Sequence, residues 1–264
     1  MRPAIAAIIL LGLLATVPPA GADSRGDAAA GTSQAVIGSE VPDFTFRTAD
    51  GSDISLASLR GKPVLLTLIY TGCADVCPAV IESLAPAVRA GEEALGEGSF
   101  AVLTVGFDTR NDTPDRMRSF AREHNAGGPN WHFAASGAAT MEQLTKATGF
   151  SYFSSAGGFD HMAQVTVIDK KGVVYRQVYG SRFDTPQIVE PLKELIFGRE
   201  KPFFSLAGLS DRVKLFCTVY NPNTGRYYFN YSLFVSIVIG AVSLSAVLYV
   251  LVRETAKSFR SGGA

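Results

Sequence analysis

The feature that most limits what this chain can become is a run near its C-terminus. Leu233 to Val252 is twenty residues without a charge, with Ser, Gly and Ala set among large aliphatics. A bilayer crossing needs about 20 apolar residues, so 233–252 is expected to be a transmembrane helix. Arg253, Lys257 and Arg260 outnumber Glu254 in the tail 253–264, which places that tail in the cytoplasm. Tyr227, Tyr228, Phe229 and Tyr231 read as an aromatic belt at the opposite interface.

The other end agrees with this topology. Arg2, an apolar run from Ala4 to Val17, Pro18-Pro19 and the small triplet Ala20-Gly21-Ala22 form a secretory signal peptide over 1–22, too short to span. Nothing in it resembles an Arg- and Ser-rich organelle presequence. The expected location is a bacterial inner membrane, with the body of the chain in the periplasm and the C-terminus in the cytoplasm.

Between the ends lie a small, polar stretch, 23–37, read as a flexible linker, a domain at 38–198, and a juxtamembrane extension at 199–232. The chain has 24 Lys+Arg against 24 Asp+Glu, which leaves no basic surface for nucleic acid. Its three cysteines are too few for a disulfide scaffold.

Within the domain, Pro63–Tyr70 and Phe100–Phe107 are continuous apolar runs, as buried central strands require. A helix follows the first run from Pro78 to Ala94, with Pro86 as a kink. Thr113 with Pro114 opens a second helix that closes at His124. Trp131–Ala134 reads as a short strand and Ala138–Thr148 as a helix ended by Gly149. Gln164–Asp169 and Val173–Tyr179 make a hairpin across Lys170-Lys171-Gly172. A last helix runs from Thr185-Pro186 to Phe197. Strands alternating with helices and closing on a hairpin predict an α/β fold with a mixed sheet flanked by helices.

The chemistry gathers in Thr71-Gly72-Cys73-Ala74-Asp75-Val76-Cys77-Pro78, between a buried strand and the start of a helix. Residues four apart share a helix face, and a helix N-terminus favours thiolate over thiol. Two such sulfurs suit a disulfide or a soft metal. Two thiolates leave a metal shell incomplete, so a third ligand must come from elsewhere. Of the three histidines, His124 closes a helix and His132 lies in a strand, both structural. His161, in Gly157-Gly158-Phe159-Asp160-His161-Met162, is the best ligand candidate, with a bystander role as the alternative.

Taken together, these motifs resemble the SCO family (Sco1/SenC type) of copper chaperones over roughly residues 38 to 198. The family's CxxxCP motif matches Cys73, Cys77 and Pro78. Its Asp-rich loop matches Asp108, Asp112 and Thr113, and its Asp-His pair matches Asp160-His161. The resemblance implies a thioredoxin-like fold and copper, Cu(I) or Cu(II), held by Cys73, Cys77 and His161. It also implies a cytochrome c oxidase copper-site subunit as acceptor, with a copper donor protein upstream. The chain departs from the family's usual pattern at Ala74 and Thr109, where Pro is common, and in carrying a C-terminal rather than an N-terminal span.

Asp75, Asp108 and Asp160 are expected beside the ligands or facing a partner, Asp112 as a turn or cap residue. Cys217 reads as a free thiol, a cross-link to another copy or a fourth soft ligand. Against metal delivery stands a thiol-disulfide reductase, with Cys73 attacking and Cys77 resolving, which needs no His161 ligand. A peroxidase is disfavoured because neither Cys73 nor Cys77 sits in the PxxxTxxC pattern, and a sensor whose copper or thiol state a partner reads stays open.

Overall fold

The computed structural model describes residues 24–155, 157–198, 217–222 and 224–261. The signal peptide at 1–22 therefore lies outside the described residues, as does most of the 199–232 extension. Eleven strands and six α-helices are described. β1 (Thr45–Thr48) and β2 (Asp53–Ser55) are joined by a turn through Gly51, and a short 3-10 turn follows at Ala57–Leu59. β3 (Val64–Ile69), β4 (Ala101–Gly106) and β5 (Trp131–Ala135) are parallel, and the first two are buried at every position. β8 (Gln164–Ile168) and β9 (Val174–Tyr179) form the expected hairpin, and β8 runs antiparallel beside β3. The seven-stranded order is β2-β1-β5-β4-β3-β8-β9.

Parallel neighbours need crossovers, and helices supply them. α2 (Val76–Leu95) links β3 to β4, and α3 (Pro114–Glu123) links β4 to β5 and packs over it. Thr113 caps α3 by accepting the Arg116 N–H at 3.3 Å, as its sequence position requires. α2 holds Pro86 within its length and lies against α5 (Thr185–Phe197). Gly91 lets α2 lie close over the Phe100 ring at the entry to β4, which a Cβ there would meet at 3.2 Å. α4 (Ala138–Thr148) ends on left-handed Gly149, φ +63°.

Three segments depart from the sequence reading. Residues 23–37 are not a flexible linker: Ser24–Ala35 forms helix α1, with Ala29 and Ser33 buried. The Ser33 hydroxyl donates to Gln164 Oε1 (2.8 Å) and accepts from the Tyr179 hydroxyl (2.9 Å), and Gly149 leaves no room for a Cβ beside Ser33. The helix docks through small and polar residues, so no apolar period announces it. Second, Tyr152–Ser155 and Gly158–His161 form a separate two-stranded ribbon, β6–β7, which carries His161.

Third, the extension holds a hairpin, β10 (Thr218–Asn221) with β11 (Arg226–Phe229), and β11 packs on α2. Its Tyr227 turns to the domain and not to a membrane interface, donating to Glu190 Oε1 at 3.0 Å. Helix α6 follows at Ser232–Ser261. Its apolar side chains stand exposed, from Phe234 at 39% to Leu244 at 72%. Among the described residues no helix is long and apolar enough to cross a membrane.

Candidate metal centre

The loop 70–75 leaves the buried strand β3 and turns at once into α2, with the Cys73 N–H donating to the Tyr70 carbonyl at 3.1 Å. Helix N-termini present N–H groups without partners. Here the Cys73 sulfur takes one of them, from Cys77 at 3.4 Å, and the Asp75 side chain caps nothing. Partial burial on its own would raise the Cys73 thiol. The backbone N–H groups of Cys77 and Asp75, with the side chains of Cys77 and Tyr70, outweigh burial and set it below the ordinary thiol value.

Cys77 is the opposite case. It is fully buried, and burial drives its thiol far above the ordinary range, helped by the charges of Cys73 and Asp112. The two sulfurs are free thiols, one half-exposed and one buried.

His161, the last residue of β7, brings Nε2 to 3.6 Å from the Cys77 sulfur. Its Nδ1 lies 3.4 Å from the Met162 carbonyl; the tautomer protonated at Nδ1 uses that acceptor and leaves the Nε2 lone pair facing Cys77. Burial lowers the His161 pKa, against the opposing pull of the Met162 carbonyl and Asp160, and so favours the neutral, ligating form. Rings hold the imidazole: Phe107 at 5.2 Å, Phe150 at 5.6 Å and Tyr70 at 6.1 Å between centroids. Gly158 admits the Tyr70 hydroxyl, which would stand 2.9 Å from a Cβ there.

Two donors bound to one metal at about 2.3 Å (sulfur) and 2.0 Å (nitrogen) lie roughly 3.5 Å apart at a tetrahedral angle. The Cys77–His161 separation fits that, and two sulfurs with an imidazole suit a soft ion. The set is not closed: among the described residues no group of three or more His, Cys, Asp or Glu stands together closely enough to hold a metal.

The three carboxylates expected beside the ligands or facing a partner occupy different surroundings. Asp75 and Asp160 are exposed, and Asp108 is occupied with the Asn111 amide at 2.7 Å. Asp160 acts on His161 through its charge alone. The carboxylate under the site is Asp112, read from sequence as a turn or cap residue. It is 3% exposed and accepts the Thr71 N–H (2.8 Å), the Thr71 hydroxyl (2.7 Å) and the Asp108 N–H (2.9 Å). It therefore ties the end of β4 to the start of the cysteine loop, a role no local pattern reveals.

His124, just past the end of α3, pairs with Glu82 of α2 at 3.1 Å, and His132 stays within β5, so neither joins the site. Cys217 lies beside β10, whose Thr218 shares a surface cleft with Glu93 and Leu95 at the C-terminal end of α2. Cys77 is in the first turn of that 20-residue helix, which excludes Cys217 as a fourth ligand. The side chain of Met162 reaches a cleft of about 400 Å³ that also opens onto His161, Asp160, Phe153 and, from α1, Gly26 and Ala29.

Comparison with known proteins agrees with this architecture. A SCO1 protein homolog of Bacillus subtilis is 34% identical over 96 residues, 36% of this chain and 48% of the relative, so the match spans about half the relative's length. The fold matches Bradyrhizobium japonicum ScoI, solved with copper bound, at TM-score 0.51 and 19% identity over 60% of this chain and 99% of that one. It also matches BsSco, described as a member of the Sco family of cytochrome c oxidase assembly proteins and as carrying a disulfide switch. That match has TM-score 0.53 and 23% identity over 60% of this chain and 93% of that one. The SCO1/SenC family model matches residues 33–196, well over half of the 264 residues. By that match the chain, with its thioredoxin-like domain, belongs to the SCO1/SenC family.

Proposed function

We propose that this protein binds copper through Cys73, Cys77 and His161 and passes it to, or prepares, the copper site of a respiratory cytochrome c oxidase. The observation that carries the reading is the 3.6 Å approach of His161 Nε2 to the Cys77 sulfur, made between two elements that share no sheet. A site with one donor on a loop, one on a helix and one on a ribbon can open for ligand exchange, since an incoming donor needs a free position. Copper-bound relatives support the choice of ion. The copper arrives from a donor protein and leaves to the oxidase's copper-site subunit.

In the same proposal the signal at 1–22 is removed on export, and 233–252 anchors the chain in a bacterial inner membrane. The domain then faces the periplasm and the tail 253–264 the cytoplasm. The unbroken helix Ser232–Ser261 and its exposed apolar side chains support the anchor.

The asymmetry of the thiols favours a second activity at the same pair. Cys73, half-exposed and acidic, can attack an acceptor disulfide, releasing one acceptor thiolate and forming a mixed disulfide. Cys77, once deprotonated, displaces the second acceptor thiolate and leaves a Cys73–Cys77 disulfide, which an exported dithiol reductant must then reduce. Copper titration of the reduced protein against a competing chelator decides between the two. One tightly held copper that weakens in His161→Ala establishes the chaperone-type copper site; no tight copper with disulfide exchange intact leaves only the reductase.

A further inference from the structure

The chain enters and leaves the domain at opposite ends of α2. At the entry, Gly26 and Ala29 of α1 line the cleft beside His161. At the exit, the hairpin β10–β11 sits against the last turns of α2, with Arg226 3.6 Å from Glu93. Between Cys77 and Glu93 the helix advances about 24 Å at its 1.5 Å rise per residue.

The exit is fastened by a buried cation. Lys193 of α5 is 6% exposed, pairs with Glu190 at 2.9 Å and donates to the Thr218 carbonyl of β10 at 2.9 Å. Its ammonium stands over the Tyr227 ring at 5.8 Å, and Tyr227 in turn donates to Glu190. A buried charge held on several partners fixes one docking register, because removing any partner leaves it unsatisfied. Nor is there slack between hairpin and helix. The Asn230 N–H donates to the Cys217 carbonyl (2.7 Å), the Asn230 side chain accepts the Ser232 N–H (2.9 Å), and the Phe229 ring meets Tyr231 and Phe234 at 4.9 and 5.9 Å.

We infer that the β10–β11 hairpin is a stiff membrane-side pedestal that presents Cys73, Cys77 and His161 on the end of the domain facing away from the lipid. The inference rests on the proposed C-terminal anchor. It deepens the anchoring reading by setting which end of the domain the membrane lies beside.

The test uses the full mature chain in vesicles of phosphatidylethanolamine and phosphatidylglycerol containing a head-group nitroxide quencher. A fluorophore is placed on Cys73, the half-exposed native thiol, or on Tyr228→Cys of the hairpin in a Cys73→Ser background. Flotation with the vesicles, strong quenching at 228 and little at 73 are expected. Equal quenching at both labels in floating protein overturns the pedestal while leaving the anchor intact; failure to float overturns the anchor and the pedestal with it. In Lys193→Ala, with melting and copper binding followed as controls, quenching at 73 should rise at least twofold. A properly folded Lys193→Ala protein with the wild-type quenching pattern would show that Lys193 does not hold the pedestal.

Discussion

The sulfur of Cys77 and Nε2 of His161 stand 3.6 Å apart across 84 positions of sequence. Loss of either donor should therefore be felt by the same ion. Cys77→Ala is expected to abolish tight copper binding, and Cys73→Ala likewise. His161→Ala should weaken binding by more than the roughly 10–100-fold that loss of an outer partner costs. In that variant the rate of disulfide exchange should stay near wild type. Chelator competition and a dithiol exchange assay check both halves; unchanged affinity in His161→Ala removes it from the ligand set.

The two thiols should separate by pH. Cys73, lowered by the N–H groups at the start of α2, is expected to alkylate with a midpoint below that of an ordinary cysteine. Cys77, raised by burial, should stay unreactive across the range in which Cys73 titrates. Mass-resolved iodoacetamide labelling against pH measures this directly. Faster labelling at Cys77 would contradict the arrangement.

His161 gives a second pH dependence. Its folded pKa lies below the ordinary value of 6.5, so the stability linked to its neutral form is complete above pH 6.5 and is lost as pH falls through the depressed pKa. Copper affinity should accordingly persist below pH 6.5, and the gap between wild type and His161→Ala should close only at lower pH. Titrations in a pH series between 7 and 4 follow that gap.

Asp112 behaves with the opposite sign. Burial raises its pKa above 3.8, so its protonated form favours the fold below that value and the benefit is lost as pH rises through the raised pKa. Wild type should gain stability relative to Asp112→Asn as pH is lowered from 7 toward 4. Asp112→Ala, which strands three donors, should cost about 1–3 kcal/mol. Gly106→Ala should act at the same point, since a Cβ there would stand 2.4 Å from that of Asp112. Denaturant midpoints across pH test all three variants.

Gly158 combines a left-handed φ of +121° with the Tyr70 hydroxyl at 2.9 Å from any added Cβ. Gly158→Ala is expected to destabilise by about 1–3 kcal/mol through its backbone alone, with a steric part on top. Tyr70→Phe in the same chain should recover the steric part and leave the backbone part, so a double-mutant cycle shows coupling between the two positions.

The parts of this structure legible in the sequence are those whose signal is local. β3 and β4 announce themselves as unbroken apolar runs, α3 by Thr113-Pro114, and the dithiol by its place between a buried strand and a helix. His161 stood out by residue type, and the family resemblance gave it a role. What escaped depends on distant partners. Asp112 looks like a cap residue until β4 ends beside the loop that follows β3. β6 and β7 are four residues each, too short for a period, and α1 docks by hydroxyl and amide contacts rather than by an apolar stripe.

That manner of docking sets where the fold begins. The Ser33 carbonyl accepts from Gln177, its hydroxyl sits between Gln164 and Tyr179, and Gln34 donates to Tyr179. A fragment trimmed to residue 38, the start of the most obvious strand pattern, would strip these partners from Gln164, Gln177 and Tyr179 and open to solvent the surface that α1 covers. A unit that preserves these contacts includes helix α1. Residues that resemble a leash are the last wall of the domain.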